Sequence, residues 1–275
     1  MLKRRLKEVG LATWVRLKWW VAFHARSVSH RPTPGIVISL TSFPPRYPTL
    51  GLTLKSLLMQ RVRPEKVLLW IAAKDMAAIP EEIRQLESNG LQILECEDFR
   101  SYNKFIHALR YYPDYKIAIC DDDTYYPPHW LGDLLEPVAE NQIAGHRLHL
   151  IHLDEHSQPL PYGDWLHEGG CREPTPLNFP TGVGGILLEA RKFAPEVIDA
   201  ATARRLSPTA DDMWLYLMGR RAGCEFVRVG KPFALISWRS SQEVALWQTN
   251  NTGERANDRQ LQALLMHFGA QGVFE

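Results

Sequence analysis

Apolar residues fall along this chain in short continuous blocks, each followed by a stretch of helical spacing. Gly35-Ile-Val-Ile-Ser-Leu is a buried-strand pattern, and Lys66–Ala72, Leu91–Leu94 and Ile117–Cys120 repeat it. Between them, Thr49–Gln60 places Leu50, Leu54, Leu57 and Leu58 on one helical face. Pro80–Asn89 opens on a proline and two acids, as a helix start favours, and stops at Gly90. Ser101–Tyr111 is a third helix. Strand and helix therefore alternate over about 90 residues, which predicts a parallel, Rossmann-like sheet flanked by helices.

Beyond Trp130 the rhythm changes. His129–Asn141 reads as a helix and Ile143–Leu153 as one strand alternating with His146, His149 and His152. Residues 157–180 hold five prolines and are too long for a passive connector, so they read as a functional loop. Thr181-Gly-Val-Gly-Gly then turns into a strand, a helix starts at Asp211-Asp212 and ends near Gly223, and Cys224–Val229 is a further strand. Gly182-x-Gly-Gly lacks the GK[ST] ending of a phosphate loop and precedes a strand, so close backbone approach to a ligand is its expected use. No internal repeat is visible.

The first 30 residues read as one helix, followed by a linker over 27–34. Leu2, Leu6, Val9, Leu17 and Trp20 share a face, and Lys3, Arg4, Lys7, Lys18 and Arg26 fall roughly opposite. Leu11, Trp14 and Val15 sit on the basic side and break the segregation. Such a helix suits an anionic membrane surface, and it equally suits docking on the protein's own body.

Composition refines this picture at one point. Hydrophobic residues at 45% and charged residues at 23% of 275 describe an ordinary globular chain. The net charge of +1 conceals eight cations against the single Glu8 in residues 1–31, leaving 24 cations against 30 acids elsewhere, a balance of −6. A basic arm on a mildly acidic body points to a surface-binding tail and away from nucleic acid. Cys96, Cys120, Cys171 and Cys224 form no C-x-x-C pair, which argues against zinc and disulfides and for a cytoplasmic setting. Neither a cleavable signal peptide nor a run of about 18 uncharged apolar residues is present.

The chemistry concentrates in acids. Asp121-Asp122-Asp123 ends a buried strand, at the side of an open α/β sheet where ligands gather, with Pro127-Pro128 behind it. Asp211-Asp212 starts a helix about 90 positions later. Carboxylates with substrate phosphates suit Mn²⁺ or Mg²⁺, and a separate carboxylate can take a proton from an incoming hydroxyl. The plainer uses of the same residues are an Asp-rich turn and a helix cap. Arg46 and Lys104 fall where a diphosphate would lie, or are surface charges.

With those residues in view, the chain resembles the GT-A superfamily of nucleotide-sugar glycosyltransferases, in particular bacterial envelope-polysaccharide transferases. The resemblance runs through Ile36-Val-Ile-Ser-Leu-Thr-Ser-Phe-Pro-Pro-Arg, Val67-Leu-Leu-Trp-Ile, Asp121-Asp-Asp-Thr-Tyr-Tyr-Pro-Pro-His-Trp-Leu, Thr181-Gly-Val-Gly-Gly and Ala210-Asp-Asp-Met-Trp-Leu. It covers roughly residues 35–230. It implies a GT-A catalytic domain over 35–275, with a nucleotide-binding half (35–130) and an acceptor-binding half (131–275), behind a membrane-associating segment over 1–34.

By that resemblance Asp121 and Asp123 match the Asp-x-Asp pair that holds ribose and the metal, with Asp122 between them. Thr41, Ser42 and Arg46 lie beside the nucleotide, Lys104 near the base or diphosphate, and Gly184 and Gly185 beneath the donor sugar or acceptor. Asp211-Asp212 takes the place of the acidic motif, with Asp212 as the base of an inverting reaction. Many relatives add a His metal ligand after that helix; Lys231–Ser241 holds none, and His267 lies far along. The implied activity moves a sugar, from a UDP-sugar by preference, to a hydroxyl of a lipid-linked or other envelope glycan at the inner face of the cell membrane. A retaining transferase or a non-catalytic glycan-binding scaffold would keep the same fold. A nucleotidyltransferase would need a Gly-rich basic loop where Thr41-Ser-Phe-Pro-Pro-Arg stands.

Overall fold

The computed structural model describes residues 2–24, 31–238 and 256–275. A seven-stranded sheet has the order β3-β2-β1-β4-β8-β5-β9. Its strands are β1 (Thr33–Thr41), β2 (Pro64–Ala72), β3 (Leu91–Cys96), β4 (Lys116–Ile119), β5 (Gln142–Gly145), β8 (Ile186–Leu188) and β9 (Glu225–Arg228). β1 to β4 pair in parallel, as the strand–helix alternation predicts. β8 runs antiparallel between β4 and β5, and β9 is parallel to β5, so one mixed sheet runs through both halves of the sequence.

The apolar strands are continuous because both faces of the sheet are covered. In β1, Ile36, Ile38 and Leu40 pack with α2 (Tyr47–Leu58), α3 (Glu81–Arg84) and α5 (Trp130–Leu134). Val37 of β1, with Ile117 and Ile119 of β4, faces the other way. That layer holds α4 (Asn103–Tyr111), α6 (Ala200–Leu206), α7 (Asp211–Arg221) and α8 (Ala256–Phe268). The period-2 alternation of a strand thus divides the core into two layers.

Three expectations change. The reading of His129–Asn141 as one helix gives way to the five-residue α5, because Pro137 disfavours helical backbone at Glu136 and offers no N–H. The single strand over 143–153 is two: after Gly145 the chain leaves the main sheet, and β6 (Leu148–Leu150) pairs antiparallel with β7 (Asn178–Pro180) in a separate ribbon. The helix over 80–89 narrows to α3 followed by a tighter 3₁₀ turn, closed by Gly90 at φ 110°.

The N-terminal helix α1 (Leu2–His24) forms as expected; residues 25–30, and with them half of the linker, lie outside the described residues, and the linker's last two positions already belong to β1. It presents two apolar faces. Val15 is fully buried, Trp14 meets the Tyr125 ring edge-on at 6.1 Å between centroids, and Trp19 packs on the α2 side of the core. Leu11, Trp14 and Val15, which break the amphipathic pattern in the sequence, are among the residues turned away from solvent. Val9, Leu17, Trp20 and Val21 stay exposed beside Arg16 and Lys18. No described helix is long and apolar enough to cross a membrane.

Candidate active site

A cavity of about 940 Å³ opens at the carboxyl ends of β1, β2 and β4, and both acid groups line it. β4 delivers Asp121–Asp123 directly, because the strand stops at Ile119 and the chain turns over the sheet edge. Tyr126 fixes that turn: its buried hydroxyl accepts from Asp121 N–H (2.9 Å) and donates to the Val183 carbonyl (3.0 Å). The turn is therefore tied to the glycine-rich segment on the opposite wall.

Each acid has its own partner. Ser42 Oγ donates to Asp122 Oδ2 at 2.5 Å, and the buried Arg46 guanidinium pairs with Asp123 while lying 3.9 Å from Asp122. Thr124 Oγ1 donates to Asp123 Oδ1 (3.2 Å). Lys104 Nζ stands between the two acid groups, 2.9 Å from Asp121 Oδ1 and 2.8 Å from Asp211 Oδ2. Arg46 and Lys104 are thus buried members of the cluster, and the surface-charge alternative falls for both. Thr41 lines the cavity while its Oγ1 donates to the Trp70 carbonyl (2.9 Å).

Asp211 and Asp212 do not cap their own helix; Ala210 holds the cap position without a side-chain bond. Asp212 Oδ1 instead accepts from Gly182 N–H at 2.9 Å. A Cβ on Gly182 would come within 2.9 Å of Lys104 Nζ and 3.0 Å of Asp212 Oδ1, so an added methyl would displace the ends of both side chains. Gly184 and Gly185 do not line the cavity. A Cβ on Gly184 would meet Arg147 and one on Gly185 the Trp130 ring, so these two allow wall packing, and Gly182 is the glycine that touches the acids.

The electrostatics follow from burial. Asp122 is pushed up to about 7, by burial first and by the neighbouring Asp123 and Asp121 charges, against the pull of Arg46. Asp212 is raised from the ordinary carboxylate range by burial and then by Asp211, with Lys104 opposing. Burial alone would lower Lys104, yet Asp121, Asp211 and Asp212 together hold it well above its ordinary value. Five carboxylates meet two buried cations here, and burial with mutual repulsion raises two of the five toward their neutral form. A carboxylate donor set of oxygens alone fits a hard divalent cation. Among the described residues no three His, Cys, Asp or Glu side chains converge as a cage; such ions typically complete their shell with substrate phosphates and water.

Sequence reasoning missed both ends of the cavity. Phe43, Asp75, Asp98 and Arg100 line one end, beside β1, β2 and β3, and Arg100 is held in the left-handed region at φ 59°. Arg147, His149, Tyr162, His167 and Phe179 line the other. The positive φ of Arg100 had no sequence signal, whereas the His alternation over 146–152 was visible and is the trace of the second group.

No protein-family model matches the chain, and no curated protein matches it. Among solved structures, Staphylococcus aureus TarS 1-349 is 16% identical, covering 86% of this chain and 72% of that one, with a TM-score of 0.44. The same protein in complex with UDP-GlcNAc gives 14%, 86%, 73% and 0.45. A 4-diphosphocytidyl-2C-methyl-D-erythritol synthase from Anaerococcus prevotii is 12% identical, covering 78% of this chain and 95% of that one, with a TM-score of 0.46. At this identity and TM-score the likenesses assign neither a family nor an activity. The fold and cavity define an α/β protein with an acid-lined cleft at the carboxyl ends of a mostly parallel sheet.

Proposed function

We propose that the protein is a metal-dependent, inverting GT-A glycosyltransferase that moves a sugar from a nucleotide-sugar donor to a hydroxyl of an envelope glycan. The observation that carries this reading is the meeting, in one cavity, of two acid groups about 90 positions apart, bridged by Lys104. A strand-end cluster of carboxylates with Arg46 and Lys104 beside it suits a cation and a diphosphate, while the second pair offers a carboxylate to take a proton. The nucleoside would lie along Thr41, Ser42, Phe43, Asp75, Asp98 and Arg100, under the β1–β3 ends where ligands of open α/β sheets bind.

Asp121 and Asp123 would hold Mn²⁺ or Mg²⁺, which when bound supplies positive charge for the departing diphosphate. The chain's own groups do the rest. Asp212, oriented by Gly182 N–H, accepts the proton of the acceptor hydroxyl as its oxygen attacks the anomeric carbon. The new carbon–oxygen bond forms while the bond to the diphosphate oxygen breaks, and that oxygen keeps the electron pair. Lys104 holds Asp211 and Asp121 in place, so the base stands at a fixed position relative to the donor side.

Lysine and tryptophan along α1 would seat the enzyme peripherally on an anionic membrane, at the cytoplasmic face where a lipid-linked acceptor is extended. Support comes from the exposed Val9, Leu17, Trp20 and Val21 beside Arg16 and Lys18. The transferase reading is tested by a thermal-shift screen of nucleotide sugars with and without Mn²⁺, followed by NMR of the product anomer. A Mn²⁺-dependent rise in Tm with one donor and an inverted product are expected. No shift with any donor would sink the reading, and retained configuration would sink the role of Asp212 as base for an inverting attack.

A further inference from the structure

The end of the cavity beyond Asp212 is built, and nothing in the donor half explains it. His149 and His167 stack at 4.4 Å between centroids with planes 22° apart, and the Tyr162 ring stands 5.4 Å from His167 and 6.1 Å from Phe179. These rings form an aromatic wall on the cavity. Burial and the neighbouring Arg147 push His149 down to about 3, so its ring is neutral. Glu168 N–H donates to His149 Nδ1 at 3.0 Å, which leaves the ring hydrogen on Nε2.

The polar atoms on this wall share one character. Arg147 uses Nε on Glu168 (3.0 Å) and NH1 on Thr181 Oγ1 (3.1 Å), and its NH2 has no partner among the described residues. Neither the His149 Nε2–H nor the Tyr162 hydroxyl has one there. Glu168 is largely exposed and weakly neutralises Arg147. Three donors therefore stand on one aromatic wall next to the proposed base, whose charge Tyr162 feels. Aromatic faces take the C–H side of a sugar ring, and a guanidinium flanked by neutral donors takes an acceptor-only group.

We infer that this end is an acceptor subsite for a saccharide ring carrying an anionic group, a carboxylate or a phosphate, held by Arg147, His149 and Tyr162 against the ring wall. The inference rests on the transferase reading and names the substrate class at its acceptor side. The position of Tyr162 helps to set which hydroxyl faces Asp212. An uncharged ring would leave Arg147 NH2 unmatched, and a buried donor left unpaired costs binding energy.

The test uses the full-length protein and saturation-transfer NMR with three probes: methyl glucuronoside, glucose 6-phosphate and methyl glucoside. At least one acidic probe should bind about tenfold or more tighter than the neutral one, and the better acidic probe tells carboxylate from phosphate. Arg147→Gln should abolish the difference, Arg147→Lys should restore part of it, and Tyr162→Phe should weaken all three. Equal binding of neutral and acidic probes, no binding of any, or an unchanged preference in Arg147→Gln would overturn the subsite. Nucleotide-sugar thermal shifts measured in parallel separate the two readings. Donor shifts without saccharide preference remove the subsite alone, and saccharide preference without any donor shift removes the transferase reading.

Discussion

Asp212 carries the sharpest expectations. Asp212→Asn keeps the shape and the Gly182 N–H contact while removing the proton acceptor, so kcat should fall by about 10²–10⁴-fold with donor binding little changed. A variant with near-normal kcat in steady-state transfer would remove Asp212 as base. As the proposed base Asp212 would work only when ionised, and its carboxyl is raised above the ordinary range by burial and by Asp211. The acidic limb of kcat/KM against pH should therefore lie above the range of a free aspartate, with the rate rising as pH rises through it. Lys104 on α4 lowers that limb, Asp121 beyond β4 raises it, and the Tyr102 and Tyr162 phenols stay neutral across it. A limb at or below the free-aspartate range would contradict this environment. The two acid groups were legible in the sequence, since each follows or starts a strongly patterned element. Their partners were less so: nothing in the bare sequence distinguishes the buried Lys104 from an exposed lysine.

At the level of elements, the turn after β7 separates two kinds of glycine that look alike in the sequence. Gly182→Ala would push a methyl group against Lys104 Nζ and Asp212 Oδ1. A misplacement of that size should cost on the order of 10²-fold in kcat/KM while Tm changes little. Gly185 has φ 101° and the Trp130 ring 2.5 Å from a built Cβ, so Gly185→Ala should cost about 2–3 kcal/mol in urea unfolding. Reversed outcomes, with activity lost at 185 and stability at 182, would mean the turn is misassigned. The parallel half was readable because four apolar runs alternate with helical spacing, with β1, β2 and β4 buried on both faces. The second half was harder. Its strands are three or four residues long, and only His146 and Arg147 separate the end of one strand at Gly145 from the next, so the apolar run with its His residues reads on through the break. Pro137 was a visible stop signal for the helix at 130.

At the level of the whole molecule, α1 docks on the body by its Val15 side and leaves Val9, Leu17, Trp20 and Val21 exposed for the proposed membrane seat. Its Val15 face is part of the body, so deleting the helix would expose α2 and confuse lipid binding with folding. Leu17→Glu with Val21→Glu alters only exposed positions. This variant should keep its Tm and lose sedimentation with anionic vesicles by about tenfold or more, since apolar insertion contributes alongside charge. Undiminished sedimentation would sink the membrane seat.

The Tyr126 hydroxyl has a wider reach than its two bonds suggest. It is a pin between the loop that would receive the proposed donor and the turn that would present the proposed base, with Asp121 N–H on one side and the Val183 carbonyl on the other. A ligand that stiffens the first segment spares the second ligand part of the entropy of ordering the other, which is positive cooperativity without any change of shape. Donor and acceptor should then each tighten the binding of the other by the same factor, read as a donor Kd that falls when acceptor is present and the reverse. Tyr126→Phe keeps the ring and cuts the pin, so this mutual tightening should shrink; an unchanged factor in that variant would place the coupling elsewhere.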